Sequence, residues 1–107
     1  MIEDLTPRDA AERLRDIEPP LLVDVRETWE RELASIPGSL HIPMNQLPAR
    51  LDELSEEREI IVYCHTGGRS LQAAMWLESQ GYDRLANVDG GIDEWSQTID
   101  HSIPRYQ

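Results

Sequence analysis

The chain has no lysine, so all ten of its basic residues are arginines. That absence excludes Schiff-base catalysis and the lysine of a Walker-type phosphate loop. Cysteine is almost missing as well: Cys64 stands alone. One cysteine forms no internal disulfide and no multi-cysteine metal site. His41, His65 and His101 are spaced too widely for a ligand motif, so no metal is expected. No apolar run is long enough to suggest a membrane span. The opening stretch, MIEDLTPRDAAERL, lacks the basic-then-apolar layout of a secretory signal, and a soluble cytoplasmic protein is expected. Positive charge is scarce: 21 acidic residues against ten basic ones give a formal net charge of -11. Non-specific nucleic-acid binding needs a basic footprint and is excluded on that ground. The acidity fits a solvated surface and partners of opposite charge.

What is present fits one domain over residues 1–107, with no repeats or linkers. TPRDAAERLRDI reads as a helix, with Thr6 as cap, Pro7 in the first helical position and Asp9 in the capping-box position. Leu21 to Val25 follow a double proline and read as a buried strand. ETWERELA is a short helix candidate, and Leu40 to Ile42 a brief strand between turns. NQLPARLDELSEE reads as a helix with Leu47, Leu51 and Leu54 on one face. Ile60 to Tyr63 form the strongest strand. RSLQAAMWLESQGY forms the strongest helix, stopped at Gly81. RLANVDGG is a last strand, and GIDEWSQ begins a helix with two acids in its first turn, which suits the helix dipole. The tail DHSIPRYQ reads as irregular.

Strands alternate with helices, and the strands are continuous apolar runs. This predicts an α/β fold: a mostly parallel sheet with helices on both faces. Ligands in such folds bind beyond the carboxyl ends of strands. Cys64 lies at such an end, in YCHTGGRS.

Gly67 and Gly68 let the backbone turn tightly and take positive φ. Such a loop aims successive N–H groups inward as an anion-binding nest. The helix that follows adds partial positive charge at its N-terminus. Arg69 adds a full charge, and Ser70 is a candidate helix cap. A thiolate is one anion this loop favours, and the thiolate is the nucleophile. A free cysteine is more often a small buried hydrophobe. Such a thiol has no need of two glycines, an arginine and a helix start behind it.

The segments LLVDVRETWE, IPGSLHIPM, IIVYCHTGGRS, AAMWLESQGY and NVDGGIDEW resemble, in order and spacing, those of rhodanese-like sulfurtransferase domains. The resemblance runs from Thr6 to Tyr106. It implies a three-layer α/β domain with a central sheet of about five strands. It also implies transfer of a sulfane sulfur from a donor, thiosulfate or a protein persulfide, to a cyanide or thiol acceptor. Cys64 is implied as catalytic nucleophile and sulfur carrier, with no cofactor beyond its covalent persulfide. The family's sulfurtransferases use a loop of six residues, here Cys64, His65, Thr66, Gly67, Gly68 and Arg69. Related phosphatases use one residue more, and the arginine they need falls here on Ser70. The smaller cradle suits a sulfur atom better than a tetrahedral phosphate.

Many thiosulfate-using members carry arginine where this chain has His65, and Ala34-Ser35 replace the family's frequent Gly-His before the turn. Backbone N–H groups from His65 to Ser70 are expected to stabilise developing negative charge. Arg69 either binds an anionic donor or fixes the loop by an ion pair, and His65 either touches substrate or lies exposed. Asp24 and Arg26 are expected at the same sheet edge, either shaping the pocket or forming an Asp–Arg or Arg–Glu pair that ties loops together. With no second thiol, sulfur must leave to an external acceptor; partners are then a small anionic donor, a protein persulfide or a sulfur-carrier protein. A monomer or weak dimer is expected. The alternatives are a non-catalytic binding module on the same fold, a carrier within a protein relay, or a phosphatase or arsenate reductase.

Overall fold

A computed structural model describes all 107 residues. The elements in chain order are β1 (Glu3–Leu5), α1 (Pro7–Arg13), β2 (Leu21–Asp24), α2 (Thr28–Leu33), β3 (Leu40–His41), β4 (Ile60–Tyr63), α3 (Gly68–Ser79), β5 (Leu85–Val88) and α4 (Gly91–Thr98). The five strands form one parallel sheet in the order β1-β5-β4-β2-β3. β4 lies at its centre. Every β4 residue is buried, which is why Ile60 to Tyr63 read as a continuous apolar run.

Alternation along β4 divides the core into two layers. Ile60, Val62 and Cys64 join Ala73, Ala74 and Leu77 of α3 on one face. Ile61 and Tyr63 join Ala10 of α1 and Ile92 and Trp95 of α4 on the other. The expected three-layer architecture is therefore the observed one. Trp95 is buried, Trp76 packs against the first layer from a partly buried position, and Trp29 is exposed.

Three elements differ from the sequence reading. β1 was not expected: it is a three-residue edge strand paired only with β5, and two of its residues are exposed acids that carry no apolar pattern. The first helix ends at Arg13 rather than Ile17. The expected helix over Asn45 to Glu57 is instead two 3-10 segments, Met44–Gln46 and Pro48–Glu53. Pro48 lacks the N–H that a continuous helix needs. Arg50 adds a kink, with φ -120° and ψ 20°. The inward leucines survive the change, since Leu47 and Leu54 are still core residues.

Register places the site. Asp24 at the end of β2 lies beside Tyr63 at the end of β4, and His41 at the end of β3 lies beside Asp24. The turns after these strands emerge at one edge. A surface cleft lies at the other end of the sheet, among charged residues such as Arg13, Arg58 and Arg84, and contains no cysteine.

Candidate active site

Cys64 follows β4 directly and is 1% exposed. Its Sγ accepts two hydrogen bonds, from the N–H of Gly67 at 3.1 Å and the N–H of Ser70 at 3.3 Å, and the Ser70 Oγ lies 3.2 Å away. Two of the expected loop amides thus converge on sulfur, and the side chain of Ser70 packs beside it. Ser70 does not cap α3. The cap position belongs to Gly67, and Ser70 sits in the first turn with its side chain turned back toward sulfur. Only Gly67 takes positive φ, at 108°; Gly68 is the first helical residue and has open space where a Cβ would stand. The expected pair of positive-φ glycines is therefore one. Thr66 lies exposed at the loop tip.

β5 and α4 brace this loop from beside it. Asn87 on β5 accepts the Ser70 hydroxyl at 2.5 Å and donates to the Gly67 carbonyl at 3.2 Å. The N–H groups of Ile92 and Asp93, in the first turn of α4, donate to the carbonyls of Cys64 and His65 at 2.9 and 3.0 Å. Gly91 permits that approach. A Cβ there would stand 2.5 Å from the Cys64 carbonyl oxygen and as close to that of His65.

Asp24 and Arg26 are fully buried and form a two-pronged pair, Nε to Oδ1 at 2.9 Å and Nη2 to Oδ2 at 2.8 Å. Asp24 also accepts from Arg31 and from the Tyr63 hydroxyl. Arg26 reaches the carbonyl of Ala34 and the hydroxyl of Tyr106. Burial disfavours the charged form of Asp24, but its bonds from Arg26 outweigh that and hold its carboxyl below the usual carboxylate range. This pair ties the β2 turn, the segment after α2 and the tail together. It has the loop-tying geometry expected of it.

Arg69 forms a two-pronged ion pair with Glu30 of α2, at 2.6 and 2.8 Å. Glu30 is 2% exposed. Burial opposes its ionisation. Hydrogen bonds from Arg69, from Tyr106 and from the Glu27 N–H prevail and pull its pKa down to about 2. The Tyr106 hydroxyl donates to Glu30 at 2.5 Å. Burial first, and this bond second, push the phenol up to about 12. His65 is bound on the same tail: its Nε2 lies 2.9 Å from the Tyr106 carbonyl and its ring stacks on Tyr106 at 4.1 Å. Glu30, Asn87 and Tyr106 were not singled out from sequence. Their only advance signal was polarity within a short helix, inside a strand and in an irregular tail. No group of three or more His, Cys, Asp or Glu side chains is placed to hold a metal ion.

This arrangement offers one nucleophile, held beneath a ring of donors at the start of a 12-residue helix, with a neutralised arginine at its side. It suits stabilisation of a sulfur anion rather than proton transfer. Comparison with known proteins agrees with the architecture. The rhodanese-like domain family model matches residues 6–98. A sulfurtransferase of Allochromatium vinosum is 38% identical over 104 residues, covering 97% of this chain and 94% of that protein. A putative sulfur carrier protein of Bacillus subtilis is 43% identical over 75 residues, covering 70% of this chain and 40% of its own length. Among solved structures, SSP1007 of Staphylococcus saprophyticus superimposes with a TM-score of 0.83 at 34% identity, over 97% of this chain and all of that one. The chain belongs to the rhodanese-like domain family.

Proposed function

We propose that the protein is a sulfurtransferase that carries sulfane sulfur as a persulfide on Cys64. The supporting observation is the convergence of the Gly67 and Ser70 amides on Sγ. The Cys64 thiolate attacks the outer sulfur of the donor, and the donor's S–S bond breaks. With thiosulfate the leaving group is sulfite; with a protonated thiol persulfide it is the parent thiol, which takes up the proton. The donor-ring atoms then face the terminal sulfur anion, whose charge they stabilise as an oxyanion hole does. An external thiophile takes the sulfur and regenerates the thiolate; cyanide leaves as thiocyanate. This is covalent catalysis in two steps.

The acceptor is external because Cys64 is the only cysteine. The relative named a putative sulfur carrier protein, and another named an adenylyltransferase and sulfurtransferase, support a place for this chain in transfer between proteins, with a protein persulfide or a carrier as partner. The test is incubation with thiosulfate or a persulfide, followed by intact-mass spectrometry and a thiocyanate assay. The protein should gain one sulfur, and Cys64→Ala should gain none. Failure of the wild-type protein to take sulfur from any donor would refute the proposal.

A further inference from the structure

The arginines around Cys64 are all engaged. Arg26 is bound by Asp24, Arg69 by Glu30 and Arg105 by Asp93. His65, in the position next to the nucleophile, has its Nε2 against the Tyr106 carbonyl. The only full positive charge inside the six-residue loop is Arg69, and both of its terminal nitrogens point at Glu30. Glu30 cannot swing away freely. It is buried, it accepts from the Tyr106 hydroxyl, and its Oε1 also meets the Glu27 N–H at 3.2 Å. Tyr106 is fixed in turn by Arg26 and by its stack on His65.

We propose that Glu30, held by Tyr106, is a specificity-determining residue that cancels the charge of Arg69 and turns the Cys64 site away from dianionic donors. The preferred donor is then a persulfide on a thiol of low charge, recognised by its terminal sulfur rather than by a cationic pocket. This rests on the sulfur-transfer reading above, whose step it leaves unchanged: the Cys64 thiolate takes the outer sulfur of R–S–SH and releases R–SH. The physical basis is short range. A carboxylate in two-pronged contact with a guanidinium leaves a dipole, whose field falls off faster than that of a single charge. The partial charge of the α3 N-terminus and the loop amides remains, and these serve a sulfur anion without demanding a second negative charge.

The field at Cys64 is read by alkylation with iodoacetate, an anion, and iodoacetamide, its neutral analogue. The ratio of the two rates in the wild-type protein should be at or below that of 2-mercaptoethanol, an uncharged thiol. Glu30→Gln should raise the ratio roughly threefold or more, Arg69→Gln should lower it, and the double variant should return toward wild type. A wild-type ratio several-fold above that of mercaptoethanol overturns the proposal. So does an unchanged ratio in folded Glu30→Gln. If Glu30→Gln fails to fold, wild type and Arg69→Gln decide, because Arg69 is half-exposed; an unchanged ratio in Arg69→Gln then overturns it.

In the transfer assay, kcat/KM for the persulfide of mercaptoethanol should exceed that for thiosulfate, and Glu30→Gln should narrow the gap by raising the thiosulfate value. A wild-type preference for thiosulfate contradicts the proposal. If neither donor leaves sulfur on Cys64, the transfer reading fails, while the alkylation ratios still report what Glu30 does to the field.

Discussion

Cys64 and the two charges nearest its loop differ in how far the sequence reveals them. Cys64 was legible because a lone cysteine, a glycine pair and a helix start are adjacent in the chain. Glu30 was not, because it lies 39 residues from Arg69 and only the fold makes them partners. The same holds for Asn87 against Ser70. The buried Asp24–Arg26 pair predicts a large stability effect. Asp24→Ala leaves Arg26 buried without its carboxylate and should cost about 3–5 kcal/mol in urea denaturation; a loss below 1 kcal/mol, within the range of an exposed pair, would show that water replaces the carboxylate. Glu30 predicts the acid limb of stability. Its folded pKa of about 2 lies below the ordinary value of 4.5, so its contribution is complete above about pH 4.5 and is lost as pH falls toward 2. Glu30→Gln should flatten the pH dependence of unfolding in that window, and an unaltered slope would contradict the assignment.

At the scale of elements, the alternation of strands and helices was legible because the central strands are short apolar runs. β1 escaped because an acidic edge strand of three residues owes its conformation to pairing with β5. The 3-10 segments escaped because Leu47, Leu51 and Leu54 keep helical spacing on either side of Pro48, although the missing N–H there breaks the helix. Two glycines test how the elements hold the loop. Gly91→Ala places a Cβ against the carbonyls that α4 binds, at φ +59°, where an L-residue pays about 1–2 kcal/mol before any clash. It should slow sulfur loading of Cys64 as well as lower the melting temperature. Gly68→Ala meets open space in a helical conformation and should be neutral or stabilise by about 0.5–1 kcal/mol. Loading rates and thermal melts of the two variants compare them directly; equal damage from both would mean that the loop, not its bracing by α4, is the sensitive part.

Taken whole, the molecule carries a net charge of -11 and surrounds its nucleophile with arginines that already have partners. A dianion therefore approaches against the overall field. Salt screens that repulsion, with a Debye length near 10 Å at 0.1 M. Thiosulfate kcat/KM should hold or rise with moderate salt, and a steep fall would show that the cationic loop outweighs the rest of the surface. The overall charge was plain in the composition, whereas its cancellation near Cys64 required the tertiary pairings. No helix is long and apolar enough to cross a membrane, in keeping with the absence of long apolar runs.

Intact-mass spectrometry after exposure to a persulfide and to thiosulfate decides whether Cys64 carries sulfur. The wild-type protein should gain one sulfur atom, removed by a thiol or cyanide and never gained by Cys64→Ala. A wild-type protein whose mass stays unchanged with every donor, or sulfur retained in Cys64→Ala, would contradict sulfur carriage on Cys64.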